Sequence, residues 1–215
     1  MKVGILGSGM MGGKLGTLLA KAGHEVVFSY ARSKDKLDKL AAAAGGTARA
    51  GTPRDAAQCD AVLLAIHWSR LDDVLHQAGD LKGKVVITCT LPLNPNNTEL
   101  VVGHSDSGAE TLAAKAKGAR VVSAFHTLPS EVLISVFERR DSKPRPNLVY
   151  CGDDAAAKAV AADLIRDIGF DPLDVGPLRV ARYTEPFAVL VGRLAYGGPG
   201  GPELCYRFAR FPPRA

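Results

Sequence analysis

An α/β fold, a doubly wound parallel sheet with a small C-terminal α/β appendage, follows from three features of this 215-residue sequence. Short apolar runs rich in β-branched residues alternate with helix-length segments as far as Phe125, and such alternation builds parallel sheets through right-handed crossovers. Two of the runs, 60–66 (DAVLLAI) and 84–89 (KVVITC), are almost continuously apolar, as strands covered on both faces are. At 2–16 (KVGILGSGMMGGKLG) a strand, a glycine turn and a helix follow one another without a gap.

The first strand, 2–6, runs directly into Gly7, Gly9 and Gly12 at G-x-G-x-x-G spacing, and Leu15, Leu18 and Leu19 continue at helical spacing. Gly7 permits a tight turn, Gly9 lets a pyrophosphate reach the backbone, and Gly12 lets helix and strand pack closely. Free N–H groups at the helix N-terminus attract phosphate. Ser8, Met10 and Met11 therefore join the glycines as candidate contacts in a Rossmann-type dinucleotide site. The helix runs to about Lys21 and stops at Gly23, a natural C′ residue.

The end of the second strand, 25–29 (EVVFS), selects the nucleotide. An NAD site has an Asp or Glu there for the ribose 2′-OH. Here Ser29, Tyr30, Ala31, Arg32, Ser33 and Lys34 precede the first acid, Asp35. Ser33 is an N-cap for the next helix, and Arg32, Lys34 and Lys36 crowd a terminus whose dipole disfavours cations. A 2′-phosphate removes that conflict, so the site prefers NADP. Ser29, Tyr30, Arg32, Ser33 and Lys36 are its adenosine-side contacts, and Lys34 reads as a solvated lysine.

A helix at 37–44 and Gly45-Gly46 lead to a short third strand near 47–50. Thr52-Pro53-Arg54-Asp55 reads as N-cap, Pro at N1 and an acid at N3. The fourth and fifth strands, 60–66 and 84–89, flank a helix at 71–78. A helix at 107–117 precedes the sixth strand, 120–125 (RVVSAF). The appendage holds a strand at 147–151, a helix at 154–168 capped by Gly152 and Asp153, and a strand at 172–175. Its last helix, 179–196, carries Pro186 internally, and the Gly/Pro stretch 197–202 is a loop.

Composition is that of an ordinary globular chain, 47% hydrophobic and 23% charged. Neither a signal peptide nor a run long enough to span a bilayer is expected, which points to the cytoplasm. Cys59, Cys89, Cys151 and Cys205 are scattered without a CxxC pair, so no metal site or disulfide framework is indicated. The net charge of +5 comes from dispersed basic residues with no nucleic-acid motif. An anionic small molecule is the expected partner, with neither nucleic acid nor membrane.

Ligands of open α/β sheets sit beyond the carboxyl ends of the strands. With pyrophosphate on the glycine loop, the nicotinamide falls over the fourth to sixth strands, beside Ala65, Ile66 and His67, Thr90, Leu91 and Pro92, and the block His126, Thr127, Leu128, Pro129. No Tyr-x-x-x-Lys dyad and no obvious carboxylate–histidine pair is there. Carbonyl reduction requires a proton donor, whereas hydride exchange between two rings requires mainly stacking at about 3–3.5 Å. His126 is the candidate catalytic residue, as a donor or as a hydrogen-bond partner of an acceptor ring.

The chain resembles the NADP reductases that depend on the deazaflavin coenzyme F-420, nearly end to end. GSGMMG at 7–12, VVSAFHTLP at 121–129, CGDD at 151–154, and PLDVGPL at 172–178 followed by Arg182 and Glu185 carry the resemblance. It implies NADP on Ser8, Gly9 and the turn 29–32. It also implies a second ring, deazaflavin or flavin, near 126–129 and 90–92, and a homodimer through the last helix. Residues 1–145 are then the NADP-binding domain, and 146–215 complete the acceptor site and the dimer interface. Two departures stand out: His67 where the family commonly has proline before tryptophan, and no adjacent Ser-Arg pair after the second strand. The domain is also similar to the cytosolic reductase domain of membrane ferric reductases. The alternatives are an imine reductase of the pyrroline-5-carboxylate type, which needs a longer helical C-terminal domain, and a non-catalytic NADP-binding sensor or partner protein.

Overall fold

The computed structural model describes residues 1–211, and 212–215 of the C-terminal segment lie outside the described residues. Its elements run β1 (Lys2–Leu6), α1 (Met10–Lys21), β2 (Glu25–Ser29), α2 (Lys34–Ala44), β3 (Arg49–Ala50), α3 (Pro53–Ala57), β4 (Ala61–Leu64), α4 (Leu71–Ala78), β5 (Val85–Thr88), α5 (Gly108–Lys115) and β6 (Arg120–Ser123). There follow α6 (Val132–Glu138), β7 (Asn147–Gly152), α7 (Ala155–Asp167), β8 (Asp171–Asp174) and α8 (Ala181–Gly197). The strands form one sheet in the order β3-β2-β1-β4-β5-β6-β7-β8. From β1 the sheet grows first toward β3 and then, after a crossover, toward β8. The crevice beside the end of β1 is therefore the topological switch point where such folds bind ligands.

Strand residues alternate between two apolar layers. Val3, Ile5, Ala61, Leu63 and Ile87 join the layer that holds Leu15, Leu19, Leu133 and Ile165 from α1, α6 and α7. Leu6, Val62, Leu64 and Val86 face the layer of α3, α4 and α5, with Ala56, Val74 and Leu112. Both faces are covered, which is why β4 and β5 carry apolar residues at every position. Caps define the helix starts. Ser33 accepts from Lys36 N–H at 3.3 Å, and Thr52 and Asp55 form a reciprocal capping box around Pro53.

Several expectations need correction. β7 pairs antiparallel with β6 (Val122 with Gly152, Ser123 with Cys151) and parallel with β8, so the C-terminal strands extend the main sheet. α6 had no counterpart in the sequence reading. α7 is capped by Asp154, which accepts from Ala157 N–H at 2.7 Å, while Asp153 instead accepts from Leu178 N–H at 2.8 Å. β4 and β5 are shorter than their apolar runs, and beyond the end of β4 Ala65 and Ile66 line the crevice.

Candidate dinucleotide cleft

A cleft of about 1450 Å³ opens at the switch point. Gly7, Ser8, Gly9 and Met10 form its floor. Gly7 has φ +107°, a conformation that favours glycine, and a Cβ there would lie 2.2 Å from Ala65 O. A Cβ on Gly12 would lie 2.0 Å from Gly7 O, so Gly12 is buried beneath the turn and holds helix to loop. Around Gly9 a Cβ would meet no atom within 4 Å. Gly9 is also the N-cap of α1, and no side chain caps the helix there. Unpaired N–H groups with open space above them suit a pyrophosphate.

The other motif residues stand behind this floor. Ser8 is buried, and its hydroxyl donates to Ser29 O at 2.9 Å. Ser29 is fully buried and donates through Oγ to Ile5 O at 2.7 Å. Met11 is half-buried against the core. These residues hold the turn in shape, and of the three only Ser8 lines the cleft.

On the adenosine side, Tyr30, Ala31, Arg32, Ser33 and Lys36 line one wall. Among the described residues Arg32 and Lys36 have no side-chain hydrogen bond or ion pair, and both are exposed. Lys34 instead pairs with Asp38 at 2.7 Å, as a solvated lysine does. The opposite wall was not foreseen: Arg70, Asp73 and Gln77 from the start and first turns of α4. Their i, i+3, i+7 spacing was the available signal, but an exposed polar helix face looks the same. Tyr30, at φ +55°, donates its hydroxyl to Asp73 across the cleft. Burial and that carboxylate push the phenol up to about 12.

At the far end Ala65, Ile66 and His67 line the cleft. His67 Nδ1 accepts from Ser69 N–H at 3.4 Å, which leaves Nε2 to donate to Asn97 Oδ1 at 3.1 Å. It thereby caps the turn Trp68–Arg70 and ties it to the loop after β5. Thr90 is buried, accepting from Ile66 N–H at 3.3 Å, and it locks the ends of β4 and β5 together. Leu91 is half-buried and Pro92 buried under α5.

The block after β6 is under cover: His126, Thr127, Leu128 and Pro129 are all buried and none lines the cleft. His126 contacts Thr184 Oγ1 through Nε2 at 2.9 Å and Ser123 Oγ through Nδ1 at 3.4 Å. Burial lowers it to about 4, so the imidazole is neutral at physiological pH. Thr127 shares a 2.7 Å hydrogen bond with the Tyr206 hydroxyl, which also accepts from Val149 N–H at 3.1 Å. Lys14 of α1 donates to Ser130 O at 3.1 Å. Phe125, buried at φ +65°, turns the chain from β6 into this loop.

Beside Thr184, Glu185 accepts from Gly108 N–H at 2.9 Å and Ala109 N–H at 3.0 Å, capping α5 from α8. Burial raises its carboxyl to about 7 despite those two donors, with Glu110 and Asp106 adding to the rise. Arg182 grips Glu110 through two hydrogen bonds of 2.8 and 2.7 Å. Among the described residues no cluster of His, Cys, Asp and Glu could hold a metal ion, and no helix is long and apolar enough to cross a membrane.

Known proteins resemble this chain over the same features. A family model described as NADP oxidoreductase, coenzyme F420-dependent, matches residues 2–92, from β1 through the loop after β5. The F420-dependent NADP reductase of Methanocaldococcus jannaschii is 30% identical over 208 residues, covering 89% of this chain and 91% of its own length. Metalloreductase STEAP3 of Rattus norvegicus is 30% identical over 185 residues, and this chain spans only 36% of it. The crystal structure of a candidate F420-dependent NADP reductase from Arthrobacter sp. FB24 superposes with a TM-score of 0.84 at 26% identity, covering 98% of this chain and 100% of that one.

Proposed function

We infer the reaction from one premise: this chain belongs to the family of F420-dependent NADP reductases, and it is an NADP-dependent oxidoreductase. The reading supported best is hydride transfer between NADP(H) and a second ring cofactor, the deazaflavin coenzyme F-420 or a flavin. One observation carries it. The two histidines nearest the nicotinamide end both have their ring nitrogens engaged, His67 with Ser69 and Asn97, His126 with Thr184 and Ser123. Neither stands ready to protonate a carbonyl or an imine, whereas ring-to-ring transfer depends on stacking and positioning. His126 in this reading is a positioning residue: it fixes the buried loop 126–129 from within and leaves the stacking surface to the residues that line the cleft.

The nucleotide half has the features NADP needs: an uncapped helix N-terminus over an open glycine, and free Arg32 and Lys36 for the 2′-phosphate. The pyrroline-type alternative needs a long helical C-terminal domain, and residues after 146 here build β7, α7, β8 and α8 instead. On α8, Tyr183, Leu190 and Leu194 are exposed along one side, which favours a homodimer through that helix. Four free thiols agree with a reducing, cytoplasmic setting.

NADPH oxidation by the purified protein, followed with coenzyme F-420, flavin mononucleotide and a cyclic imine as separate acceptors, tests this. Turnover with a ring acceptor is expected. Turnover with the imine alone would favour the imine reductase. NADPH binding without oxidation by any acceptor would favour the sensor.

A further inference from the structure

Residues 93–101, in the connection from β5 to α5, have no assigned work. The connection, 89–107, holds no helix or strand, only an antiparallel bridge between Leu93 and Leu100. Connections of that length are uncommon in compact domains and are usually either functional or disordered. This one is internally braced. Val101 N–H donates to Pro92 O at 2.7 Å at its root, and Asn94 N–H donates to Glu99 O at 2.9 Å further out. At the tip Asn97 N–H donates to Asn94 O at 2.9 Å. The Asn94 side chain closes the same turn, accepting from Thr98 N–H and donating to Thr98 Oγ1, both at 2.9 Å.

The polar ties of this segment to the rest of the protein are few. Pro95, Asn96, Asn97, Thr98 and Glu99 are exposed. Among the described residues, one hydrogen bond joins residues 93–101 to anything beyond the adjacent residues 91 and 92, and no ion pair does. It runs from His67 Nε2 to Asn97 Oδ1 at 3.1 Å. His67 lines the cleft at its nicotinamide end, so the tip of the braced segment is fastened to the rim of the site. Resting on the reading of that end as the place of hydride transfer, we propose that residues 93–101 are a flap that closes over the acceptor ring, with the His67–Asn97 hydrogen bond as its latch. A ring acceptor must pass this rim to enter and leave, and transfer requires water to be kept out. A braced segment moves as one piece, and a single neutral hydrogen bond is weak enough to break and re-form at every turnover.

Asn97 sits at φ +57°, a conformation that Asn tolerates and glycine adopts freely. N97G therefore deletes the latch without straining the turn, and N97D keeps an accepting oxygen in the same place. Two measurements test the pair. The first is cleavage after Glu99 by a glutamate-specific protease, followed by mass spectrometry, which tracks the open population. N97G should be cut there about 2- to 10-fold faster, the factor that one neutral hydrogen bond supplies, and N97D at the parental rate. The second is NADPH oxidation with coenzyme F-420 or flavin mononucleotide, alongside fluorescence titration of NADPH. In N97G the acceptor KM should rise by about the same factor, with kcat and NADPH affinity kept. Added to H67A, where the latch is already gone, N97G should change the acceptor KM no further. Parental cleavage and parental KM in N97G would overturn the latch. Faster cleavage with an unchanged KM would leave a tied loop with no part in acceptor binding and overturn the flap. Equal changes in N97D and N97G would remove the hydrogen bond as the tie and overturn the proposal too. Failure of the intact protein to oxidise NADPH with either ring acceptor would overturn the reaction reading itself, a result visible before any variant is made.

Discussion

Replacing Gly9 with valine separates ligand binding from folding. The added Cβ meets no protein atom within 4 Å, and the backbone there, at φ −80° and ψ −154°, is extended. The cost to the fold is that of exchanging glycine for a poor N-cap residue, about 1 kcal/mol or less. The cost to the nucleotide is larger, because the side chain fills the space above the free N–H groups of α1. Losing two charge-assisted hydrogen bonds removes about 3–6 kcal/mol, or roughly 10²- to 10⁴-fold in affinity. Gly12→Ala provides the contrast: its Cβ lands 2.0 Å from Gly7 O, so helix and turn must part. Overpacking of that kind costs about 1–3 kcal/mol or more. Urea melts followed by circular dichroism, paired with fluorescence titration of NADPH, read both quantities. Gly9→Val should melt like the parent and fail to bind, whereas Gly12→Ala should melt early. A Gly9→Val protein that binds NADPH with parental affinity would put the pyrophosphate elsewhere.

Arg32→Ala should weaken NADPH about ten- to hundredfold and leave NADH nearly unchanged; equal losses in titration would remove Arg32 from the 2′-phosphate. His126→Gln should leave kcat for a ring acceptor largely intact, with no histidine-like break in its pH profile, whereas loss of a general acid would lower kcat about 10²- to 10⁴-fold. Stability should respond to pH through two buried groups of opposite sign. His126 lies at about 4 in the fold against an ordinary 6.5, so the unfolded chain binds more protons and stability rises with pH between those values. Glu185 lies at about 7 against 4.5, so the folded state holds the proton and stability falls over that window. Each contribution is about 3 kcal/mol, and in the parent they largely cancel from pH 4.5 to 6.5. Denaturant melts should show His126→Gln losing stability as pH rises and Glu185→Gln gaining it; parallel slopes in the two variants would refute both assignments. Leu190→Arg with Leu194→Glu should convert a dimer to a monomer in light scattering, and unchanged mass would move the interface off α8.

Much of this was legible in the chain itself. β1, β2 and α4 fall at the limits their residue patterns predict, and the Thr52 capping box and Ser33 cap were readable from residue type. Other parts were not, for physical reasons. The seven residues of α6, VLISVFE, show too little helical periodicity to be told from a buried strand. Asp153 and Asp154 are equivalent as candidate caps until tertiary contact assigns Asp153 to Leu178. The α4 face that lines the cleft carries polar residues because a ligand site and a solvated surface both require them. The partner of His126, Thr184, lies far along the chain, and no local pattern reports the contact.

The nucleotide cleft and the loop 126–129 are held together by very different stretches of chain. Everything that lines the cleft lies between Gly7 and Gln77. The loop 126–129 is instead fastened by Thr184, 58 residues downstream of His126, and by Tyr206, 79 residues downstream of Thr127. During synthesis every residue of the nucleotide cleft is therefore made before the loop 126–129 and its fastenings. The fastening of the loop 126–129 waits for α8 and the segment beyond it to emerge. A ribosome-bound chain passes through a stage in which every cleft-lining residue has been made and the loop 126–129 has not yet been fastened.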